Sequence, residues 1–198
     1  TFTICQSSIG PTVSLGRTRV FLTSRSTDDG EDIPLLCDDH PIPELLPAKR
    51  WRASFVGMMG RHAIRQVMSD RLDGRDDILI VDDNLGEDFF VDCILSSYIS
   101  LCPRGFGGGS FRFFESMQLG TVPLFYGDID TRPFKQFIDW DSMSFFTDCI
   151  GELMHIIDHA DKQVLLDMGL RAKRFYYDNL RYGLWCQYVI RTLQGGPQ

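Results

Sequence analysis

Short apolar runs alternate with longer amphipathic segments from residue 51 onward, and this alternation predicts strands that are each followed by a helix. The predicted strands are 53–57, 76–83, 98–102, 121–126 and 144–147, and the predicted helices are 61–70, 89–97, 110–119, 132–137, 148–158, 161–177 and 179–192. Segment 76–83 is an apolar run bounded by acids, typical of a strand buried on both faces. The expected fold class is therefore α/β: a Rossmann-like three-layer parallel sheet with helices on both faces.

The first fifty residues have a different character. They are loop-rich, with an acidic run at 28–32 and four prolines between Pro34 and Pro47, and they are interpreted as a linker or the tail of a preceding domain. Residues 2–5 already have strand character, and the chain opens at Thr1 and not at Met, so we expect upstream sequence to exist. The predicted organisation is a 1–50 linker, a 51–178 nucleotide-binding domain and a 179–198 C-terminal helix and tail.

Composition narrows the class of partner. The 198 residues are 43% hydrophobic and 24% charged, which is the composition of a globular domain. The net charge of -7 and a pI near 5.0 argue against nucleic acid, because a phosphate backbone requires clustered Lys and Arg. The longest apolar stretch, 93–102, has roughly half the ~20 residues that a membrane helix needs, so we expect no membrane segment in this chain.

The six cysteines form no Cys-x-x-Cys pair, so neither a zinc site nor a redox dithiol is predicted. They are Cys5, Cys37, Cys93, Cys102, Cys149 and Cys186. An even number permits disulfides, whereas cysteines in apolar runs behave as small hydrophobic residues. The disulfide state and the redox compartment stay open.

Residues 98–128 read as a strand, a glycine loop, a helix and a second strand. The loop contains Gly107, Gly108 and Gly109 and is followed by Ser110. Such a loop offers backbone N–H groups to an anion, and the following helix adds the positive end of its dipole. The segment therefore predicts a phosphate-containing ligand.

The helix that follows the loop separates apolar from charged positions. At ~100° per residue, Phe113, Phe114 and Met117 share one face while Arg112 and Glu115 lie about 60° apart on the other. Arg112 suits phosphate oxygens and Glu115 suits two sugar hydroxyls, which together describe a nucleoside diphosphate. The alternative is a surface i, i+3 ion pair worth only about 0.2–0.5 kcal/mol.

Further candidates fall at the same edge of the predicted sheet. Arg104 follows the buried strand 98–102, and open α/β sheets bind ligands beyond the carboxyl ends of their strands. At the first strand, Gly57 permits a tight turn, and Arg61 or Arg65 can point back to the same crevice. These positions converge on one anion-binding crevice.

The same residues carry a resemblance to the exostosin-like glycosyltransferases, family 47. The shared pattern is Cys102-Pro-Arg-Gly105, Gly107-Gly-Gly-Ser-Phe-Arg112, Glu115, Gly120, Val122-Pro-Leu124 and Gly127-Asp128, with weaker similarity over roughly 32–178. The resemblance implies the nucleotide-binding half of a two-domain GT-B fold. Gly108 and Gly109 stand where many members carry Thr or Ser, so backbone replaces a hydroxyl contact there.

The resemblance implies an inverting glycosyltransferase that moves a sugar from a nucleotide diphosphate donor, with UDP-sugar favoured, to a glycan hydroxyl. The implied donor-binding residues are Gly57, Arg61, Arg65, Pro103, Arg104, Gly105, Gly107, Gly108, Gly109, Ser110, Phe111, Arg112, Glu115 and Asp128. Arg104 and Arg112 are the implied catalytic residues, which together with Arg65 stabilise the departing diphosphate. The general base is unknown; Asp38, Asp39 and His40 are candidates, although each is more typical of an exposed loop.

Two patterns point to metal, and neither changes the expectation that no metal cofactor is required. Asp128-x-Asp130 has the spacing that chelates a divalent cation in other transferases, but it follows the nucleotide helix and its strand, where a carboxylate orders a loop or faces the donor sugar. His155 and His159 lie at i, i+4 on a helix, but no third zinc ligand lies near in sequence.

Two other function classes stay open. One is a non-catalytic module that binds a nucleotide sugar or glycan and partners another glycosyltransferase, which the short chain favours. The other is a Rossmann oxidoreductase, which is poorly supported because no Gly-x-Gly-x-x-Gly follows the first strand.

The expected partners are a nucleotide sugar, a glycan acceptor and a homo- or hetero-oligomeric chain. The sequence does not specify a compartment: the resemblance implies the Golgi lumen, or the cytoplasm for a viral or microbial protein.

Overall fold

The computed structural model describes residues 1–195, so the last residues of the predicted 179–198 segment lie outside the described part of the chain. The strands are β1 Phe2–Cys5, β2 Arg19–Leu22, β3 Glu31–Asp32, β4 Trp51–Val56, β5 Ile78–Val81, β6 Ser97–Pro103, β7 Val122–Tyr126 and β8 Phe145–Thr147. Strands β4 to β8 form a five-stranded parallel sheet in the order β5-β4-β6-β7-β8. The predicted parallel sheet is confirmed.

Helices cover both faces of this sheet. They are α1 Ala63–Leu72, α2 Glu87–Leu95, α3 Phe111–Leu119, α4 Ile150–His159, α5 Lys162–Phe175 and α6 Cys186–Leu193, with a π-helical turn at Tyr176–Leu180. Alternate residues of a strand point to opposite faces: in β7, Phe125 packs with Phe113 of α3, whereas Leu124 packs with Leu153 of α4. The three-layer arrangement is therefore present as predicted.

The first fifty residues contain a second, smaller parallel sheet in the order β1-β2-β3. Phe21 and Ile33 from this region are buried with Phe113 in the core on the α3 side. The segment that leaves β2 then lies against the glycine loop before α3, where Gly108 N–H donates to the carbonyl of Ser24. The division of the chain into a linker and a nucleotide-binding domain stays a prediction.

Three predicted elements differ from the structure. Strand β5 is the edge strand of its sheet and only Ile78 is fully buried in it, so the prediction of a strand buried on both faces was wrong. Segment 132–137 forms turns instead of a helix, because Phe134 has a φ of 54°, which a right-handed helix excludes. The last helix begins at Cys186 and not at 179, after a turn in which Gly183 has a φ of 88°.

The ends of α3 explain its length. Ser110 precedes the helix with an extended backbone, and Gly120 ends it with a φ of 83°, the left-handed conformation that favours glycine. Within residues 1–195, no helix combines the length and apolarity needed to cross a membrane.

Candidate functional site

A cleft of about 1410 Å³ opens at the carboxyl ends of β4 and β6. The glycine loop and the start of α3 form one wall, the loop after β4 forms another, and residues that follow β2 and β3 close a third side. The predicted donor-binding residues that line the cleft are Gly57, Arg61, Arg65, Gly105, Gly107, Gly109, Ser110, Phe111, Arg112 and Glu115. The structure therefore gathers most of the predicted site into one cavity.

Arg112 lies at the base of this cleft, and the charge of Glu115 only partly opposes the pKa lowering that burial causes. Its guanidinium stacks on Phe55, 4.3 Å from the ring centre, and on Phe90 at 5.2 Å, and it donates to the Val56 carbonyl. Within residues 1–195, Arg112 forms no salt bridge, and its buried Nε has no hydrogen-bond partner. Burial lowers the pKa of this guanidinium. A buried cation that lacks a direct ion pair is costly, and a bound anion would relieve that cost.

Arg65 and Arg61 add positive charge to the same cavity. Arg65 donates to three backbone carbonyls, those of Arg104 at 2.9 Å, Met58 at 2.8 Å and Pro103 at 3.4 Å. Burial, together with repulsion from Arg112 and Arg61, lowers the pKa of Arg65 to about 10. The exposed Arg61 lies 5.1 Å from the ring centre of Phe106. Neighbouring positive charges that lower the pKa of a buried guanidinium favour an anionic ligand.

Ser24 accepts hydrogen bonds from two amides of the glycine loop. The Gly109 N–H donates to the Ser24 hydroxyl at 2.9 Å, and the Gly108 N–H donates to the Ser24 carbonyl at 3.3 Å. A Cβ on Gly107 would lie 2.1 Å from the Ser24 hydroxyl oxygen, so the close approach requires glycine there. The amides of Gly108 and Gly109 therefore hold Ser24, whereas Ser110 lines the cleft and its hydroxyl forms no capping bond to α3.

Arg104 and Asp128 lie outside the cleft lining and pair with each other. The buried Arg104 guanidinium donates to the Asp128 carboxylate and to the carbonyls of Gly107 at 3.3 Å and Phe106 at 3.4 Å. Pro103 and Gly108 are likewise buried behind the cavity wall. In this structure, Arg104 thus holds the loop and supplies a carbonyl to Arg65, and its charge faces Asp128.

Glu115 turns toward the loop after β3 and does not pair with Arg112. Its carboxylate lies 3.2 Å from Nε2 of His40 and 3.5 Å from Sγ of Cys37, so the surface i, i+3 ion pair considered from the sequence is not formed. Nδ1 of His40 contacts the Glu87 carboxylate at 2.7 Å. Contacts with Cys37 and Glu115 raise the pKa of His40 to about 10. Glu115 stays at the cavity wall with a side chain that is 15% exposed.

The candidates for the general base lie in two different cavities. Asp38 and Asp39 line a smaller cavity of about 420 Å³, where Asp39 pairs with Arg181 at 2.9 Å. Of the candidates, His40 reaches the main cleft, and both of its ring nitrogens are occupied by carboxylates there. The identity of the general base stays open.

The two sequence patterns that pointed to metal form other contacts. Asp130 pairs with Arg132 at 3.0 Å and Lys135 at 3.5 Å, and His155 stacks on His159 with ring centres 4.3 Å apart. Within residues 1–195, the group of three potential ligand side chains that lie within 4.8 Å of one another is a different one, Cys37, His40 and Glu115.

Sequence reasoning missed several residues of the cleft. Glu87 opens α2 and contacts His40, and Asp83 follows β5 at the same edge of the sheet. The buried ring of Phe55 packs against Arg65 and Arg112, which line the cleft. Asp83 was visible at the end of an apolar run, and acids at the carboxyl end of a parallel strand fall at the ligand edge. No local pattern pointed to Ser24.

Comparison with known proteins shows which family the chain resembles. A family model described as the Exostosin GT47 domain matches residues 25–150, more than half of the chain. The chain is 41% identical over 51 residues to an Exostosin-1 homolog of Caenorhabditis elegans, which covers 26% of this chain and 13% of that protein. It is 38% identical over 53 residues to Exostosin-1 of Drosophila melanogaster, which covers 27% and 7%. These matches span a small part of the relatives' length.

Among solved structures, the crystal structure of TarM matches with a TM-score of 0.55 and 7% sequence identity, covering 98% of this chain and 49% of that chain. At this identity the match is one of fold. It confirms the Rossmann-like, GT-B type of architecture expected from the sequence.

Proposed function

The chain belongs to the exostosin family, glycosyltransferase family 47, and on that premise we propose that it binds a UDP-sugar and transfers the sugar with inversion to a glycan hydroxyl. The reaction proposed requires no divalent metal. The cleft at the carboxyl ends of β4 and β6 is the donor site.

One observation carries the proposal: Arg61, Arg65 and Arg112 share a cleft and, within residues 1–195, none of them forms a salt bridge. Burial disfavours the charges of Arg65 and Arg112, and repulsion from Arg112 and Arg61 adds to the cost at Arg65. A diphosphate would relieve both costs at once, because its oxygens accept several charge-assisted hydrogen bonds. A strongly perturbed cluster of charges in a cleft is typical of a functional site.

The residues have distinct parts in this proposal. The diphosphate lies between Arg65, Arg112 and the amino end of α3, where the Ser110 hydroxyl and the helix dipole add to the positive field. The Glu115 carboxylate accepts hydrogen bonds from the ribose hydroxyls. Arg104 acts indirectly, because its contacts hold the glycine loop and its carbonyl orients Arg65.

The arginines take the role that a metal ion has in other transferases. As the bond between the sugar and the diphosphate breaks, negative charge grows on the leaving diphosphate, and Arg65 and Arg112 are already placed to stabilise it. Inversion also needs a base that removes the acceptor proton. We leave that group unassigned.

A second candidate is a module that binds the nucleotide sugar without turnover and assists a partner chain. One observation favours it: Asp38 and Asp39, two of the candidates for the general base, lie outside the cleft. The two candidates share the same binding site and differ in whether the sugar is released from the nucleotide.

The deciding experiment has a binding arm and a turnover arm. The 198-residue chain is first screened by thermal shift with UDP, GDP, ADP and CMP, where the ligand that binds the native state raises the melting temperature. It is then incubated with UDP- and GDP-sugars in the presence of EDTA, and release of the nucleotide is followed by chromatography. Release from a UDP-sugar supports the transferase. Binding of UDP without release from any donor supports the module, and absence of any nucleotide shift contradicts both.

A further inference from the structure

We propose that Cys37, His40 and Glu115 form a binding site for a Zn²⁺ ion at the wall of the donor cleft. The three side chains come from the loop after β3 and from α3, and their potential ligand atoms all lie within 4.8 Å of one another. None of the proposed donor contacts other than Glu115 takes part. The site is distinct from the Asp128-x-Asp130 and His155/His159 patterns considered from the sequence.

Two of the separations between potential ligand atoms are close to those of a tetrahedral zinc site. With Zn–S near 2.3 Å and Zn–N and Zn–O near 2.0–2.2 Å, tetrahedral angles place sulfur and oxygen ~3.6 Å apart, and nitrogen and oxygen ~3.4 Å apart. Sγ of Cys37 is 3.5 Å from Oε1 of Glu115, and Nε2 of His40 is 3.2 Å from the same oxygen. A metal ion could therefore enter with small adjustments of the side chains.

The second nitrogen of His40 supplies independent support. Nδ1 lies 2.7 Å from the Glu87 carboxylate, and in zinc sites a histidine ligand commonly donates its other N–H to a carboxylate. This contact fixes the ring orientation and leaves Nε2 as the nitrogen that would bind the metal ion. Phe90 packs beside the imidazole with ring centres 5.5 Å apart, which further restricts the ring.

The chemistry of the ligands selects the metal. A thiolate, an imidazole and a carboxylate suit zinc better than Mg²⁺ or Ca²⁺, which prefer oxygen ligands throughout. His40 and Glu115 line the cleft, so a fourth position can be taken by water. Cys37 is a free, half-buried cysteine that lines the smaller cavity together with Asp38 and Asp39.

Binding of zinc would compete with the nucleotide. Glu115 is the carboxylate proposed above to accept the ribose hydroxyls, and a carboxylate that coordinates a metal ion is not free to accept both. Zinc would then act as an inhibitor of donor binding and not as a cofactor. This consequence rests on the proposed function, whereas the metal site itself does not.

Metal binding is tested on the reduced 198-residue chain without any nucleotide. Zn²⁺ is titrated calorimetrically into wild type and Cys37→Ser, and Co²⁺ is used as a spectroscopic probe. We expect tight binding of one ion by wild type, at least about tenfold weaker binding by Cys37→Ser, and a thiolate-to-cobalt absorption band that this variant lacks. Cys149→Ser, which removes an exposed cysteine, is the matched control and should retain both. Equal zinc affinity in wild type and Cys37→Ser, or a cobalt spectrum without the thiolate band, overturns the site.

Two further measurements guard against a folding artefact and separate the two proposals. In wild type, Zn²⁺ should protect Cys37 from alkylation as measured by mass spectrometry, and unchanged alkylation overturns the site. UDP affinity is then measured with and without Zn²⁺. A weaker affinity for UDP with zinc supports competition at Glu115. Cysteine-dependent zinc binding that leaves UDP affinity unchanged supports the metal site and overturns the competition.

Discussion

The guanidinium of Arg112 lies 4.3 Å from the centre of the Phe55 ring, so a strand residue of β4 supports a cation that projects from α3. A cation over an aromatic face is attracted to it, by ~0.5–2 kcal/mol depending on desolvation. This attraction is smaller than the cost of burying a charge without a counterion. The contact orients Arg112 toward the cleft but does not offset the cost of burying its charge, which a bound anion would stabilise.

Replacement of Arg112 by Met tests whether this side chain binds the diphosphate. We expect Arg112→Met to weaken UDP binding by at least about tenfold, equivalent to ~1.4 kcal/mol, because a charge-assisted contact to the diphosphate is lost. The melting temperature of the empty protein should change little or rise, because a buried charge is replaced by an apolar side chain of similar length. Calorimetry with UDP and a thermal melt without ligand measure the two effects.

The matched control for this variant is Arg174→Met, which changes an exposed arginine on α5. It should leave UDP affinity unchanged. If Arg112→Met bound UDP as tightly as wild type, Arg112 would be a structural residue and the site assignment would fail.

The proposed contact between Glu115 and the ribose predicts a difference between two ligands. Wild type should bind UDP more tightly than 2′,3′-dideoxyuridine diphosphate, because the latter lacks the hydroxyls that donate to the carboxylate. Glu115→Gln should weaken UDP by about tenfold or more and leave the dideoxy ligand nearly unaffected, since hydrogen bonds to a charged group contribute ~1.5–3 kcal/mol. Competition titrations with both ligands measure the difference.

Glu44→Gln, at an exposed position between Pro43 and Pro47, serves as the control and should show the wild-type preference. An equal loss of both ligands in Glu115→Gln would show that the carboxylate supports the site as a whole and does not contact the ribose.

Gly57 provides a test of how Arg112 is positioned. This glycine has a φ of 148°, and a Cβ at this position would lie 2.9 Å from Nη2 of Arg112. We expect Gly57→Ala to weaken UDP binding because the methyl group displaces the guanidinium. In an Arg112→Met background the same change should have a much smaller effect on UDP affinity. A double-mutant cycle measures this coupling, and additive effects of the two substitutions would contradict the mechanism.

The centre of the fold could be predicted from local patterns. The apolar positions of α3 recur with helical spacing, and Phe113, Phe114 and Met117 are buried as that spacing predicts. Gly120 marks the end of the helix because only a residue that tolerates positive φ fits there. These signals lie within a few residues of the features they predict, so sequence alone was sufficient.

Contacts across long separations could not be predicted in the same way. Ser24 meets Gly109 across 85 residues, and His40 meets Glu115 across 75. Both Ser24 and His40 belong to a loop-rich region without a periodic apolar pattern, so no local signal placed them against α3. The edge position of β5 was missed for a related reason, because strand order is set by packing and not by the composition of one strand.

Lys49 provides a test of buried charge away from the cleft. It precedes β4 and donates to the Ser97 carbonyl and to the Thr121 hydroxyl, and burial lowers its pKa from 10.5 to about 8. Between these two values the unfolded chain binds more protons than the folded chain, so the contribution of Lys49 to the free energy of unfolding rises with pH in that window.

We therefore expect the free energy of unfolding of wild type, minus that of Lys49→Met, to increase by roughly 2 kcal/mol between about pH 7 and pH 10. Subtracting the variant removes the contributions of other groups that titrate in the same range. Urea unfolding at several pH values measures the difference, and Lys162→Met, at an exposed position of α5, should run parallel to wild type. A pH-dependent difference in the free energy of unfolding arises only from a group whose pKa changes on folding. If the free energy of unfolding of Lys49→Met followed that of wild type in parallel across this pH range, the pKa of Lys49 would be the same in the folded and unfolded chains.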